Sequence, residues 1–570
     1  MIGLVTATAG GRAAADLLAE AWPDEVRIIA GRTGDALREA WRTCDAVVSF
    51  LAVGATVRVL APLLADKTID PAVVCVDEAR RYAIALLGGH HGANDLAARV
   101  AGVLGCRPVI TTAADAAGQP PLDGYGADLG FRIENPDALP AVGAAVLNGE
   151  PVRLIGAAGW PLPPLPPNVG ATGTAAIAIT DLDAKALSAP ARSVILRPPS
   201  LAVGVGCARG VSADEVDAMI GAALAAAELS PLSVRCVATI DIKADEEGVV
   251  AVAARRGLPL ETFPAASLAA VAVPNPSETV RAEVGTPSVA EAAALRAARA
   301  YGKDAELVVA KRKSANVTVA VARLTPRGRL TIVGIGPGAR DLLTPRAARA
   351  LRRAAVVVGL DQYVDQVRDL LRPGTRVIVS GLGQEEERAR TAVAAASAGQ
   401  AVALIGSGDA GVYAMAAPAL EVAAADIDVA GVPGVTAALA AASLLGAPLG
   451  HDHAYLSLSD LHTPWEIIER RIRAAAEADL TICFYNPRSR TRDWQLAKAL
   501  AIVAAHRPPG TPVGYVRNAS RPDESATVTT LRDIDPERID MFTVVIVGSS
   551  RSRTVAGRFV TPRGYPWTSV

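Results

Sequence analysis

Short runs of Val, Ile and Leu alternate with longer Ala/Leu/Arg stretches through almost the whole chain. Apolar runs of this length predict strands buried on both faces, and the stretches between them predict helices. Together they describe parallel sheets covered by helices. Ala46–Val53, Ala72–Val76, Leu201–Gly206, Val317–Ala322, Leu330–Gly336, Ala401–Ile405, Leu480–Tyr485 and Thr543–Val547 read as such strands. Helix starts are marked too. Ser212 with Glu215, and Ser288 with Glu291, match the capping box of a hydroxyl followed three residues later by a carboxylate. Thr344-Pro345 supplies a cap and then proline at the first helical position. No period of about 20–50 residues recurs.

The longest uncharged run, Val429–Gly450, has the length of a membrane span. Gly431, Pro433, Gly434, Gly446, Pro448 and Gly450 interrupt it. A buried helix of about ten residues starting near Thr436, flanked by loops, accounts for it better than a span. Three segments break the strand–helix alternation: Pro161–Pro167, which reads as a stiff connector or exposed loop, Arg197–Ser200, and Leu324–Arg329. The last carries the main boundary.

Composition narrows the class. A chain of 570 residues accommodates about three to five domains. Hydrophobic residues are 51% and aromatics only 4%, so the cores are packed with small aliphatics and disorder is excluded. A net charge of -1 gives no global attraction to nucleic acid or anionic membrane. None of the six cysteines forms a Cys-x-x-Cys pair, which fits reduced thiols in a cytoplasmic protein and no metal site. The opening MIGLVTATAGG reads as a strand and glycine turn rather than a signal peptide.

Chemistry concentrates where strands end in glycines. Leu330–Gly336 runs into Pro337-Gly338, and Ala401–Ile405 into Gly406-Ser-Gly408-Asp409-Ala-Gly411-Val-Tyr413. Gly431-Val-Pro-Gly434-Val-Thr436-Ala437 follows, and Leu480–Tyr485 ends in Asn486-Pro-Arg488-Ser-Arg490. Glycine at a strand end lets backbone approach a ligand closely. Alone, each motif reads equally well as a strand-to-helix turn. In this order, GIGPG, SGDAGVY, GVPGVTA and FYNPRSR resemble the tetrapyrrole methylase family over about Leu330 to Val570, and most closely its precorrin-3B C-17-methyltransferase branch. The resemblance implies a two-subdomain class III methyltransferase fold, a homodimer, and S-adenosyl-L-methionine held in the cleft. It places Gly336, Pro337, Gly338, Gly408, Asp409, Val412, Thr436, Ala437, Tyr485 and Asn486 at the cofactor. Methyl transfer from a sulfonium needs alignment and exclusion of water more than acid–base groups. His451 and His453 are candidates for a proton relay in ring contraction, or simply members of a solvated loop. Arg488 and Arg490 are candidates for substrate carboxylates, or surface residues.

In the first half, Val76-Asp-Glu78 is followed by Gly88-Gly89-His90-His91-Gly92 and by Thr111-Thr112-Ala-Ala-Asp115. Imidazoles in a glycine turn before a helix suit an oxyanion or carboxylate, and suit a structural turn as well. With Val203-Gly-Val-Gly206, Thr239-Ile-Asp241 and Lys311-Arg-Lys313, these segments resemble the cobalt-precorrin-5A hydrolase family over about Met1 to Arg323. That resemblance implies lactone opening with release of acetaldehyde. His90 or His91 would act as base, oriented by Glu78 or Asp115. Lys311 and Arg312 are candidates to hold substrate carboxylates, the other reading being a solvent-facing basic strand end.

The whole reads as a multi-domain α/β fusion. Hydrolase-like domains occupy 1–117, 118–200 and 201–325, and a methylase occupies 330–570 with subdomains at about 330–445 and 446–570. Its expected partner is a tetrapyrrole, with no nucleic acid and no membrane. The alternative keeps the methyltransferase and makes the first half a noncatalytic macrocycle-binding module.

Overall fold

The computed structural model describes every residue except 66–69, 90–91, 113–116, 157–158, 490–491 and 566–570. His90, His91, Asp115 and Arg490 therefore lie outside the described residues. Contacts divide the chain into two units. The first comprises Met1–Ala158, Pro164–Thr325 and Arg372–Gly374, and the second comprises Gly159–Pro163, Pro326–Leu371 and Thr375–Val570.

The first unit contains three sheets. In the first, Val26–Ile28, Ile2–Thr6, Ala46–Phe50 and Ala72–Val76 run parallel in that spatial order. Tyr82–Leu87 then turns back antiparallel, and Arg107–Val109 runs alongside it. Helices Ala9–Ala21 and Ala93–Leu104 cover one face through Ala14, Leu18, Leu96 and Val100, while Leu37 and Ala40 of helix Thr33–Thr43 cover the other. Both faces are buried, so Ala72–Val76 has no polar position.

The second sheet orders Arg132–Ile133, Arg192–Arg197, Ala175–Ile179, Val152–Gly156 and Val169–Gly170. Pro161–Pro167 joins two neighbouring strands of this sheet, and Pro161, Leu162, Pro164 and Pro166 are buried. Of the two expected readings, burial rules out the exposed loop. Proline rings carry apolar surface and no N–H to satisfy, so a PPII-like segment can be buried cheaply.

The third sheet orders Leu260–Phe263, Val234–Ile240, Leu201–Cys207, Val317–Thr325 and Asp304–Lys313. Helix Ala290–Tyr301 lies against it so closely that a Cβ on Gly204 would sit 1.9 Å from the Ala290 carbonyl oxygen. The glycines of Val203-Gly-Val-Gly206 thus serve helix-on-strand packing. The Arg197–Ser200 junction is a polar latch. Arg323 donates from Nε and Nη2 to the Asp181 carboxylate at 2.7 and 3.0 Å, and Ser200 Oγ donates to Asp181 Oδ2 at 2.7 Å.

The two expected capping boxes part company. Ser212 Oγ accepts from the Glu215 N–H at 3.3 Å, the cap half of the box, while the Glu215 carboxylate is taken by Ser314 and Asn316. The Ser288 box does not form, because the fully buried Glu291 accepts from Asn275 and from the Lys311 N–H instead. Helix Ala290–Tyr301 starts from Val289 without a side-chain cap.

The second unit holds two larger sheets. Arg376–Ser380, Val356–Leu360, Ala401–Gly406, Gly328–Gly334 and Ile427–Val432 form a wholly parallel sheet. The uncharged run resolves as the last of these strands followed by helix Ala437–Leu445. Among the described residues no helix is long and apolar enough to cross a membrane. The other sheet orders His453–Ser457, Thr481–Tyr485, Thr543–Val547, Pro512–Arg517 and Ser525–Thr530, and only its first pair is parallel. The expectation of parallel sheets fails here, as it does where Val317–Thr325 runs antiparallel to Leu201–Cys207. Thr543–Val547 is apolar because Ile468, Leu500 and Val503 pack on one face and Ala441, Leu445 and Phe559 on the other. A continuous apolar run reports two-sided burial and is silent about strand direction.

Candidate functional site

In the parallel sheet Gly334 pairs with Gly406, and Val333 with Val432. Three strands therefore end side by side, and their glycine loops meet at the carboxyl edge, where open α/β sheets bind ligands. Gly336 and Gly408 exchange backbone hydrogen bonds at 3.0 and 2.8 Å, both with left-handed φ. A Cβ on Gly434 would sit 2.0 Å from the Gly408 carbonyl oxygen. These glycines are needed for loop-on-loop contact. Gly431 differs, because nothing lies within 4 Å of its Cβ direction.

Asp409 ties the loops together. Its Oδ1 accepts from the Gly411 N–H at 2.8 Å and its Oδ2 from the Gly434 N–H at 2.9 Å. The carboxylate is thus spent on holding loop shape. The first loop is held from the mixed sheet. Arg521 donates through Nε to the Pro337 carbonyl at 2.6 Å and through Nη2 to Ser407 Oγ at 2.8 Å. Gly338 lies under this side chain, where a Cβ would be 2.5 Å from Arg521 Cγ.

Tyr485, at the end of Thr481–Tyr485, reaches helix Ala437–Leu445. Its hydroxyl accepts from the Ala438 N–H at 3.1 Å and shares a 2.6 Å hydrogen bond with Thr436 Oγ1. Thr436 is the helix's N-cap residue but makes no side-chain cap itself. The tyrosine takes over that task from another sheet. Around it runs an aromatic row, with Tyr413–Tyr485 at 5.3 Å, Tyr485–Tyr455 at 5.7 Å and Tyr455–His453 at 5.4 Å between centroids. Burial raises the pKa of Tyr413 and Tyr485 and pushes Tyr455 up to about 12, so all three stay protonated at neutral pH.

Asn486, with left-handed φ, donates to Ser457 Oγ at 3.1 Å. His453 joins the aromatic row, whereas His451 is turned to its own loop, Nδ1 accepting from the Asp452 N–H at 2.7 Å. Arg488 pairs with Glu537 at 2.8 Å and donates to the Pro536 carbonyl. Its fork is already occupied by protein acceptors. Val412 and Ala437 sit in the second and third loops beside Asp409 and Thr436. The structure therefore brings the three glycine loops together at one carboxyl edge, with Tyr485 reaching them from the mixed sheet, while Asn486 contacts Ser457 in that sheet. Arg521, Tyr413 and Tyr455 were missed as site residues. Only Tyr413 carries a sequence signal, as the last residue of SGDAGVY.

In the first unit the candidates separate. Gly88 and Gly92, both left-handed, flank the histidine turn, and Asn94 Nδ2 donates to Thr112 Oγ1 at 3.3 Å. The flanks of the His90-His91 and Asp115 segments thus meet at one sheet edge. Glu78 does not belong there. Register pairs Val76 with Ala83 and Val73 with Leu87, so Glu78 follows one end of the pair and Gly88 the other. They are separated by about 17 Å of strand. Glu78 instead accepts from Thr8 Oγ1 at 2.8 and 3.0 Å beside Gly10. Lys311 lines a cavity of about 360 Å³ together with Lys313, and strand alternation leaves Arg312 out of it. Arg312 is exposed and is not part of the cavity lining. Among the described residues no cluster of His, Cys, Asp and Glu could hold a metal.

A parallel sheet with three lashed glycine loops, faced by a mixed sheet that caps one of them, is the architecture of a small-molecule transferase cleft of the α/β class. Residues 329–535 match the tetrapyrrole (corrin/porphyrin) methylases. Residues 35–115, 120–198 and 201–322 match the N-terminal, central and C-terminal regions of cobalamin synthesis G. A Salmonella typhimurium protein named "Probable cobalt-factor III C(17)-methyltransferase" is 48% identical over 41% of this chain and 99% of its own length. The precorrin-3B C(17)-methyltransferase of a Sinorhizobium species is 42% identical over 40% of this chain and 91% of its own. The solved methyltransferase CobJ aligns at 38% identity over 41% of this chain and 100% of its own, with a TM-score of 0.39. The chain belongs to the tetrapyrrole methylases, and it carries the three cobalamin synthesis G regions ahead of the methylase domain.

Proposed function

We propose that the chain is a bifunctional enzyme of corrin-ring synthesis. Its methylase half methylates precorrin-3B or cobalt-factor III at C-17 with ring contraction. Its first half opens the δ-lactone of cobalt-precorrin-5A and releases acetaldehyde. The observation that carries the first activity is the convergence of the three glycine loops on one carboxyl edge, locked by Asp409 and Arg521.

The residues present fit S-adenosyl-L-methionine. Gly431 faces open space that a side chain would fill, and Gly336 and Gly434 let the loops close on one another so that backbone, not side chains, forms the walls beside it. The cofactor supplies an already activated methyl group. Pro337, Gly338, Val412, Thr436 and Ala437 would line it, with Asp409 acting by holding two of the loops in shape. Tyr413, Tyr455, Tyr485 and His453 offer an aromatic wall of mutually tilted rings against which the edge of a macrocycle can pack. His453 is better placed than His451 to move a proton during contraction, because it stands in that row.

In the first half His90 or His91 remains the base of choice with Asp115 as partner, supported by the meeting of their flanking segments. Domain limits at 117, 200 and 325, a homodimer formed through the methylase and a cytoplasmic location complete this reading. Incubation with S-adenosyl-L-methionine and metal-free or cobalt-loaded trimethylated precursor, followed by mass spectrometry, tests it. One methyl gain is expected from one of the two substrates, and no gain from either refutes the methyltransferase. Acetaldehyde release from cobalt-precorrin-5A tests the hydrolase, and His90→Ala with His91→Ala should abolish it. No release by the unmodified chain would favour the noncatalytic binding module.

A further inference from the structure

The cavity of about 360 Å³ in the third sheet of the first unit carries none of the residues assigned to catalysis. It opens at the N-terminal end of helix Ala290–Tyr301, beside the end of strand Leu201–Cys207. Lys243, Lys311 and Lys313 line it together with the exposed Glu283, while Glu246 takes Lys243, Glu291 is held by Asn275 and the Lys311 N–H, and Glu215 is held by rim residues. Cys207 also lines it, and burial raises that thiol's pKa, so it adds no negative charge.

Ser288 points to an occupant. It is 2% exposed, lines the cavity, and its hydroxyl finds no partner among the described residues. The capping box that would have used it is broken, because Glu291 is held by Asn275 and the Lys311 N–H. The helix N-terminus therefore has neither a side-chain cap nor a neighbouring carboxylate free to serve as one. Buried hydroxyls and helix N-termini are normally satisfied, and both are satisfied by an anion. Two lysines are positioned by the fold. Lys243 contacts the buried Glu246 at 3.3 Å, and Lys311 donates to the Asn275 carbonyl at 2.7 Å. Lys313 makes no ion pair among the described residues. The rim is prebuilt, since Glu215 accepts from Ser314 Oγ at 2.7 Å and from the Asn316 amide.

We propose that this cavity binds a carboxylate arm of the tetrapyrrole, held by Ser288 Oγ, the N-terminal amides of helix Ala290–Tyr301 and Lys313. The assignment of a tetrapyrrole rests on the function proposed above, whereas the anion site rests on the cavity alone. Corrin precursors carry many acetate and propionate arms, and one arm seated here anchors the ring to the hydrolase half away from its reacting edge.

Peptide-resolved hydrogen exchange on the full chain, with uroporphyrin as an eight-carboxylate probe, tests the site. Binding should protect the segment 287–294. Ser288→Ala and Lys313→Glu should each weaken that protection about tenfold, the size of one charge-assisted contact. Arg312→Glu, the same charge change one residue away from the cavity, should shift it less than twofold. Melting curves show that each variant is folded. Four results would overturn the proposal: no protection in the unmodified chain, no effect of either cavity variant, an equal effect of Arg312→Glu, or equal protection by inorganic phosphate. Methyl gain and acetaldehyde release are read separately, so loss of the arm site leaves the proposed activities standing or falling by themselves.

Discussion

Replacing Asp409 with alanine isolates the tie between the second and third glycine loops. The carboxylate accepts two backbone N–H groups, from Gly411 at 2.8 Å and from Gly434 at 2.9 Å, and so ties the second loop to the third. A hydrogen bond to a charged group contributes about 1.5–3 kcal/mol. Asp409 is partly exposed, and discounting for solvent leaves about 2–3 kcal/mol for the pair. If the loops must be aligned before the cofactor binds, that loss lowers affinity by about 30-fold or more. Calorimetric titration with S-adenosylhomocysteine measures it directly. Asp409→Asn keeps one acceptor and should fall between the two, at about tenfold. Amide exchange at Gly411 and Gly434 should quicken in both variants. Alanine binding within twofold of the unmodified chain, or unchanged exchange at those amides, would refute the tie as the residue's role.

Two glycines should behave oppositely. Gly434→Ala meets the Gly408 carbonyl, which is backbone and cannot move aside, so loop structure and cofactor binding should be lost together. Gly431→Ala meets no atom and should leave the melting temperature unchanged while weakening S-adenosylhomocysteine binding. Tyr485→Phe keeps the aromatic row but strands Thr436 Oγ1 and the Ala438 N–H. It should cost about 1–2 kcal/mol, seen as faster exchange in helix Ala437–Leu445. Burial pushes the Glu246 carboxyl upward, yet the Gly210 N–H and Lys243 outweigh it and its pKa lies below the ordinary value. A depressed folded pKa gives stability that is present above the unfolded pKa and lost as pH falls through the folded one. Protection of helix Glu247–Arg255 should therefore drop as pH falls from about 5 towards 3, and Glu246→Gln should flatten that dependence.

The family was legible because its signals are local. A strand end, its glycines and the next helix start are consecutive, so GIGPG, SGDAGVY and GVPGVTA could be read in order without knowing how they meet. Strand positions were equally plain, since Ala72–Val76 and Thr543–Val547 are defined by an unbroken apolar run. The direction of Thr543–Val547 was not, because burial on both faces writes the same run into parallel and antiparallel strands.

What the tertiary structure alone decided are the partners. Arg521 lies in the loop after Pro512–Arg517, far along the chain from Pro337, and nothing in its neighbourhood marks it for that carbonyl. Glu78 is ten residues from Gly88 in sequence, but an antiparallel reversal sets those two at opposite ends of a strand pair. Ser288 and Glu291 have the spacing of a cap, and the cap fails because Asn275 and Lys311 compete for the carboxylate. Periodicity and turn chemistry depend on a few adjacent residues, and sequence carries them. Which carboxylate, arginine or hydroxyl finds which partner depends on chain segments that only the assembled fold brings together.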